Sequence, residues 1–189
     1  TLNGSDVSAW ADSSENSFDM VQTSPSKQPA YNSGDIAFNS ADIQSLQSVS
    51  DIELSGAFTI GIKLNVLATG GVILGDNTIN GELFKIFSST KLRIKIDNTT
   101  AVDLVLDSET WGDGYMVVTR SATNVLSLGW NGVAQTTATP TLSGTANIDC
   151  IGVRNSGLNP YHGTISEIQI FDTLSPALVA NVNSYLSAI

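Results

Sequence analysis

The chain has 189 residues, enough for one domain that buries about 70% of its unfolded surface without staples. Its 8 Lys and Arg against 18 Asp and Glu give a formal charge of −10, which excludes the basic footprint that nucleic-acid binding requires. Hydrophobic residues make up 41% and charged ones only 14%, which excludes a disordered chain, and the many short polar side chains and 16 glycines favour strands and turns over helices.

In chain order, residues 1–35 are polar and irregular, and Ser40–Ser48 carries the pattern of a short helical turn. Phe58, Ile60, Ile62, Leu64 and Val66 then alternate with Thr59, Gly61, Lys63 and Asn65, the period of a strand with one buried face. Further strands are predicted at Val72–Leu74, Leu83–Phe87, Leu92–Ile96, Val102–Leu106, Tyr115–Arg120, Val125–Trp130, Ile148–Val153 and Thr164–Phe171. Turn signals separate them at Gly70-Gly71, Gly75-Asp76-Asn77, Asp97-Asn98, Gly112-Asp113-Gly114, Asn131-Gly132 and Asn155-Ser156-Gly157. Asn131-Gly132 is the strongest hairpin signal, because a type I′ turn needs two residues with positive φ. At the end, Ser175 suits an N-cap and Pro176 the first helical position, and Leu178, Val179, Val182, Tyr185 and Leu186 form one apolar stripe. Many short strands and one C-terminal helix predict a single all-β domain over residues 1–189, an antiparallel sandwich or barrel.

Most catalytic and metal chemistry is missing. The single cysteine, Cys150, removes disulfide frameworks and thiolate zinc sites, and its apolar alternating surroundings predict a buried, inert thiol. The single histidine, His162, would have to serve any Ser/His/acid triad, and no Gly-x-Ser-x-Gly elbow presents a serine, so a structural role is expected. Gly112-Asp113-Gly114 lacks the third glycine and the helix of a phosphate loop. No run reaches the roughly 18 apolar residues of a membrane helix. The chain begins at Thr1, so a processed protein or a piece of a longer one is expected.

One stretch comes close to catalysis. Retaining β-glucanases with a sandwich fold carry Glu-x-Asp-x-x-Glu on one strand, which sets two carboxylates about 5 Å apart. Here the corresponding residues are Glu167, Gln169 and Asp172, so the central carboxylate is absent and the last is one methylene short. No enzymatic activity is expected, and Ile168 and Ile170 are expected in the core.

The order of features resembles laminin-G-like domains of the concanavalin A-like lectin/glucanase superfamily. Trp10-Ala11-Asp12-Ser13-Ser14-Glu15-Asn16 is similar to the family's Trp-x-Asp-x-Ser-Gly-Asn opening, with Glu15 in place of glycine. Gln28-Pro29-Ala30-Tyr31, Ile36-Ala37-Phe38-Asn39, Phe58-Thr59-Ile60 and Leu128-Gly129-Trp130-Asn131-Gly132 resemble its successive steps. Gly163 to Asp172, followed by Leu174-Ser175 and the helix ending in Tyr185-Leu186, is the most specific piece. The resemblance implies a jelly-roll of two antiparallel sheets, mostly non-catalytic, that binds glycans or proteins, often with calcium. The Lys-poor, Ser/Thr/Asn-rich style also resembles such domains in virion proteins of marine tailed phages.

A glycan needs an exposed aromatic platform rimmed by polar groups. Trp111, in the polar loop with Glu109 and Asp113, is the first choice, followed by Tyr161 and Trp10, whereas Trp130 is assigned to the core. Lys91, Arg93 and Lys95 share one strand face and form a basic patch for a neighbouring subunit or an anionic ligand. Asp76, Asn77 and Asn131 are candidate calcium ligands in loops, although no cofactor is expected to be required. The expected function is a binding or adhesive sandwich on a virion surface, as capsid decoration or fibre protein, or otherwise outside the cell. Its partners would be a surface glycan, neighbouring virion subunits or further copies of itself. A secreted bacterial carbohydrate-binding module is the alternative, and a glucanase-like enzyme a remote third.

Overall fold

The computed structural model describes residues 1–76, 82–96, 99–154 and 157–189. In chain order the strands are β1 (Leu2–Asn3), β2 (Asp6–Val7), β3 (Ala9–Trp10), β4 (Met20–Val21), β5 (Ala30–Asn32), β6 (Asp35–Phe38), β7 (Leu46–Leu54), β8 (Phe58–Val66), β9 (Val72–Gly75), β10 (Glu82–Ser88), β11 (Lys91–Lys95), β12 (Val102–Val105), β13 (Asp113–Arg120), β14 (Leu126–Trp130), β15 (Val133–Gln135), β16 (Ala146–Ile151) and β17 (Gly163–Phe171). The helix α1 (Pro176–Ala188) follows. One sheet has the order β1-β2-β5-β6-β17-β8-β13-β14-β15, and the other β12-β11-β10-β9-β16-β7-β4-β3. The strands pair antiparallel, and the non-sequential order places chain-distant strands side by side, as β17 beside β8. The fold is the two-sheet jelly-roll sandwich with one C-terminal helix that the sequence predicts.

The inner faces make one core. β8 contributes Ile60, Ile62 and Leu64, β13 Met116 and Val118, and the opposite sheet Leu74, Phe84, Ile86, Leu92, Ile94 and Ile148, all essentially sealed from solvent. Apolar alternation drives this, because each buried branched side chain contributes about 1.5–3 kcal/mol. The Asn131-Gly132 turn closes the β14–β15 hairpin with φ of 49° and 78°, the type I′ conformation.

The C-terminal helix changes the other face of the first sheet. Ser175 Oγ accepts from the Leu178 N–H at 3.2 Å and Pro176 opens the helix. Val182 and Leu186 then bury against Tyr115 and Val117, whereas Tyr185 stays exposed. Gly61 makes the contact possible, because a Cβ there would lie 2.5 Å from Val182 Cγ1 and 2.9 Å from Leu186 Cδ1. Thr59 and Gly61, solvent-facing by alternation, are therefore buried, and Thr59 Oγ1 donates to the Thr173 carbonyl at 2.9 Å.

Two segments differ from the sequence reading. Residues 1–35 are not irregular throughout: they supply β1 to β5 at the margins of both sheets. The helical turn at Ser40–Ser48 shrinks to a 3-10 turn at Ser40–Asp42, capped by Asn39 Oδ1 accepting from the Ala41 N–H, and the chain then runs extended into β7. β7 escapes the alternation test because its ladder is interrupted. Its pairing with β16 jumps from Ile52↔Ile148 to Gln47↔Cys150, so four residues, Ser48 to Asp51, face the single Asp149.

Arg120 is fully buried. Its guanidinium donates to the carbonyls of Leu54 (2.6 Å), Gly56 (2.8 Å) and Gly144 (2.8 Å) and lies 4.9 Å from the Phe58 ring centre. These partners tie the β7–β8 connection to the segment before β16. No helix among the described residues is long and apolar enough to cross a membrane.

Candidate functional site

A cleft of about 390 Å³ opens between the sheets, where the β3–β4 hairpin of one faces β17 of the other. Trp10, Asp12, Asn16 and Phe18 line one wall, and Glu167, Ile168 and Ile170 the other. Ile52, Leu74 and Ile151 make an apolar floor.

The loop on the first wall is knit by its own aspartates. Asp12 accepts from the Ser14 N–H (2.8 Å), the Ser14 hydroxyl (2.7 Å) and the Phe18 N–H (3.0 Å). Asp19 Oδ1 accepts from the Asp12 N–H at 2.8 Å. Hydrogen bonds from Ser14, then Phe18, hold the Asp12 carboxyl below the usual carboxylate range. The Trp-x-Asp-x-Ser sequence is thus a local turn that fixes where Trp10 and Phe18 stand, and both rings are half-buried. On the opposite wall, burial raises the Glu167 pKa, and a hydrogen bond with Gln169 offsets part of the rise. The cleft therefore offers aromatic faces, an amide and two carboxyl groups above an apolar base, a lining suited to holding a ligand by contact and hydrogen bonds.

The structure corrects two of the three aromatic candidates. Trp111 is only 8% exposed and packs edge-to-face on Trp130, with ring centres 5.0 Å apart and an angle of 81°. Gly114 clears the space, since a Cβ there would lie 2.8 Å from Trp130 Cζ2. Glu109 and Asp113 are exposed beside it, so no open indole face stands between them. Trp111 plugs the sandwich because an indole buries 150–250 Å². Tyr161 is fully buried, its hydroxyl donating to the Asn65 carbonyl at 3.0 Å and its ring edge-on to Phe38. Trp10 alone of the three reaches a cleft.

The basic patch is already engaged. Arg93 forms a two-pronged pair with Asp103 at 2.8 and 3.3 Å and stacks on the Phe87 ring at 3.3 Å, and Lys91 lies 3.6 Å from the same carboxylate. Hydrogen bonding from Arg93 keeps the Asp103 carboxyl below its ordinary pKa. Lys95 ends the same strand, so what remains for an anion is smaller than the sequence count implies.

Of the calcium candidates, Asp76 and Asn131 do not meet. Asp76 is buried after β9 in one sheet, whereas Asn131 is exposed in a hairpin of the other, where its Oδ1 accepts from the Tyr115 N–H at 3.0 Å. Asn77 lies outside the described residues. Desolvation, then the charges of Asp149, Asp76 and Glu53, raises the pKa of Asp51. Among the described residues no three His, Cys, Asp or Glu side chains are placed to hold a metal ion. Cys150 is buried and its thiol pKa is pushed up by desolvation, so the thiolate is suppressed. His162 Nδ1 accepts from the Ser40 N–H at 3.4 Å.

Sequence reasoning missed Phe18 and Asn16 as site residues and treated Glu167 only as a failed catalyst. Their common signal is the opening Trp-x-Asp motif together with the β17 segment, two pieces separated by about 150 residues that only the sheet order brings together.

No family model matches the chain, and no curated protein matches it. Among solved structures it is similar to a heptameric SAP-like pentraxin from Limulus polyphemus at 14% identity (TM-score 0.54), over 74% of this chain and 75% of that one. It is also similar to the binding domain of botulinum neurotoxin serotype D/C at 12% identity (TM-score 0.51, 94% of this chain and 46% of that one). The binding domain of Paraclostridial Mosquitocidal Protein 1 matches at 14% identity (TM-score 0.50, 96% and 47%). The chain spans about half the length of these two toxin domains. At such identities the likeness is one of fold, and it establishes the jelly-roll sandwich.

Proposed function

We propose that this chain is a non-catalytic recognition module of the concanavalin A-like, laminin-G-like kind, which holds an external ligand between Trp10 and β17. The cleft carries the reading: half-exposed aromatics, an amide and two carboxyl groups surround an apolar floor in about 390 Å³. Two-carboxylate glycoside hydrolysis is disfavoured, because the partner of Glu167 is the amide Gln169. Display outside the cell, most simply on a virion surface as decoration or fibre protein, suits the Ser/Thr/Asn-rich, acidic composition. The toxin chains of similar fold are binding domains and the pentraxin is a heptamer, which supports recognition and assembly as themes of such sandwiches. Trp10, a partly buried indole lining the same cleft as Asn16, favours a surface glycan as one ligand class, which a secreted carbohydrate-binding module would share.

The test compares native protein with Trp10→Ala on glycan and peptide arrays, alongside reducing-sugar release from laminarin and mixed-linkage glucan. The reading expects no sugar release and at least about tenfold weaker binding in the variant. Binding indifferent to Trp10→Ala, or sugar release abolished by Glu167→Gln, overturns it.

A further inference from the structure

β17 is flanked unequally. β8 accompanies it as far as Phe171, whereas β6 pairs with Gly163, Thr164 and Ile165 only. The neighbour stops where Ser166 Oγ donates to Asp35 Oδ1 at 2.6 Å, at the first residue of β6 and at the register shift of β17. Beyond it no described strand lies on that edge, and every second residue turns its N–H and C=O away from β8. Burial agrees. Ile168 and Ile170 stand opposite Ile62 and Ile60, both fully sealed, yet they are themselves only half-buried and line the cleft.

We propose that this notch is a docking slot for one extended segment of a protein partner, rich in Lys or Arg, that adds to β17 as a strand. The inference rests on the reading of the cleft as the recognition site and names its occupant. Backbone pairing supplies affinity and alternate side chains supply selectivity in such strand addition. The facing floor of Ile52, Leu74 and Ile151 takes small apolar side chains from every second residue of the segment. Its other residues are basic, because among the described residues the only ionisable ones lining the cleft are Asp12 and Glu167, in a chain of net charge −10. The same charges oppose a second copy of this chain, as inward-facing charge on an open edge does in monomers.

A displayed library of random peptides about six residues long, the length of the open edge, tests the slot on the intact protein. Selected peptides should alternate basic and branched apolar residues. N-methylation of alternate residues should weaken them by at least about tenfold, with methylation of the intervening residues much milder. Amide hydrogen exchange of the native protein should slow at Ile168 and Ile170 when such a peptide binds, a readout that needs no variant. Acidic or unpatterned peptides, peptides indifferent to N-methylation, or unchanged exchange at Ile168 and Ile170 overturn the slot. If no peptide binds but a glycan does, with loss in Trp10→Ala, the slot falls and the recognition cleft stands. If neither binds, both fall.

Discussion

The two flanks of the sandwich use the same parts to opposite ends. Beside β14, Trp111 folds in from its loop and meets Trp130, and that side is sealed. Beside β17, Trp10 stands at the end of the short strand β3, just before the Asp12 turn, and leaves a cleft. Loop stiffness does not separate them. Asp107 accepts from the N–H groups of Thr136 and Thr137 at 2.7 and 2.9 Å, much as Asp12 accepts from those of Ser14 and Phe18. The difference lies in what each indole finds. Trp111 meets the ring of Trp130, for which Gly114 leaves room, whereas Trp10 lines a cleft against a strand whose outer neighbour has ended. Openness here follows from sheet topology rather than from a loose loop.

Truncations should expose this contrast most strongly. Trp111→Ala is expected to lower stability by about 3–5 kcal/mol, as a core truncation does, whereas Trp10→Ala should cost about 1–2 kcal/mol. Denaturant midpoints decide, and equal losses would erase the distinction between the flanks. On the single β8–β17 ladder, Ile62→Ala should cost about 2–5 kcal/mol and Ile168→Ala clearly less, since only the first side chain is sealed. Equal costs would mean that the edge of β17 is covered.

The aspartate clasps sharpen the comparison through pH. The Asp107 carboxyl is lowered to about 2, chiefly by hydrogen bonding from Thr137 and then Thr136. Its folded value is below the unfolded value of about 3.9, so its contribution is complete above that pH and is lost as pH falls through about 2. Asp12 moves in the same direction. Acid titration of Asp107→Asn should therefore show a shallower loss between about pH 4 and 2 than the native protein. The smallest effect expected is that of chelator: with no clustered carboxylate site among the described residues, the melting temperature should stay within about 2 °C in EDTA. A collapse of tens of degrees would reveal a structural metal.

Much of the fold was legible in sequence because alternation and turn chemistry are local. Phe58–Val66 and the Asn131-Gly132 hairpin needed no tertiary knowledge. β7 was not legible, because the four residues opposite Asp149 break its period. Burial of Thr59 and Gly61 was hidden too, since it depends on a helix that begins more than a hundred residues later. The site followed the same rule. Nothing beside Trp10 or Trp111 in sequence marks either as plug or platform, and only the partner across the sandwich, a ring for one and an interrupted edge for the other, decides which is a plug.

The arrangement of the three tryptophans also gives the molecule two separate optical reporters. Trp111 and Trp130, 5.0 Å apart and nearly perpendicular, are close enough for their indole transitions to couple, and their fixed geometry gives a near-ultraviolet circular dichroism signal that lasts only while tertiary packing lasts. Trp10 stands apart from them at the cleft and is only partly buried, so its fluorescence responds to whatever enters there. A ligand that shifts emission while leaving the near-ultraviolet signal unchanged has been felt at Trp10 and nowhere in the sealed flank.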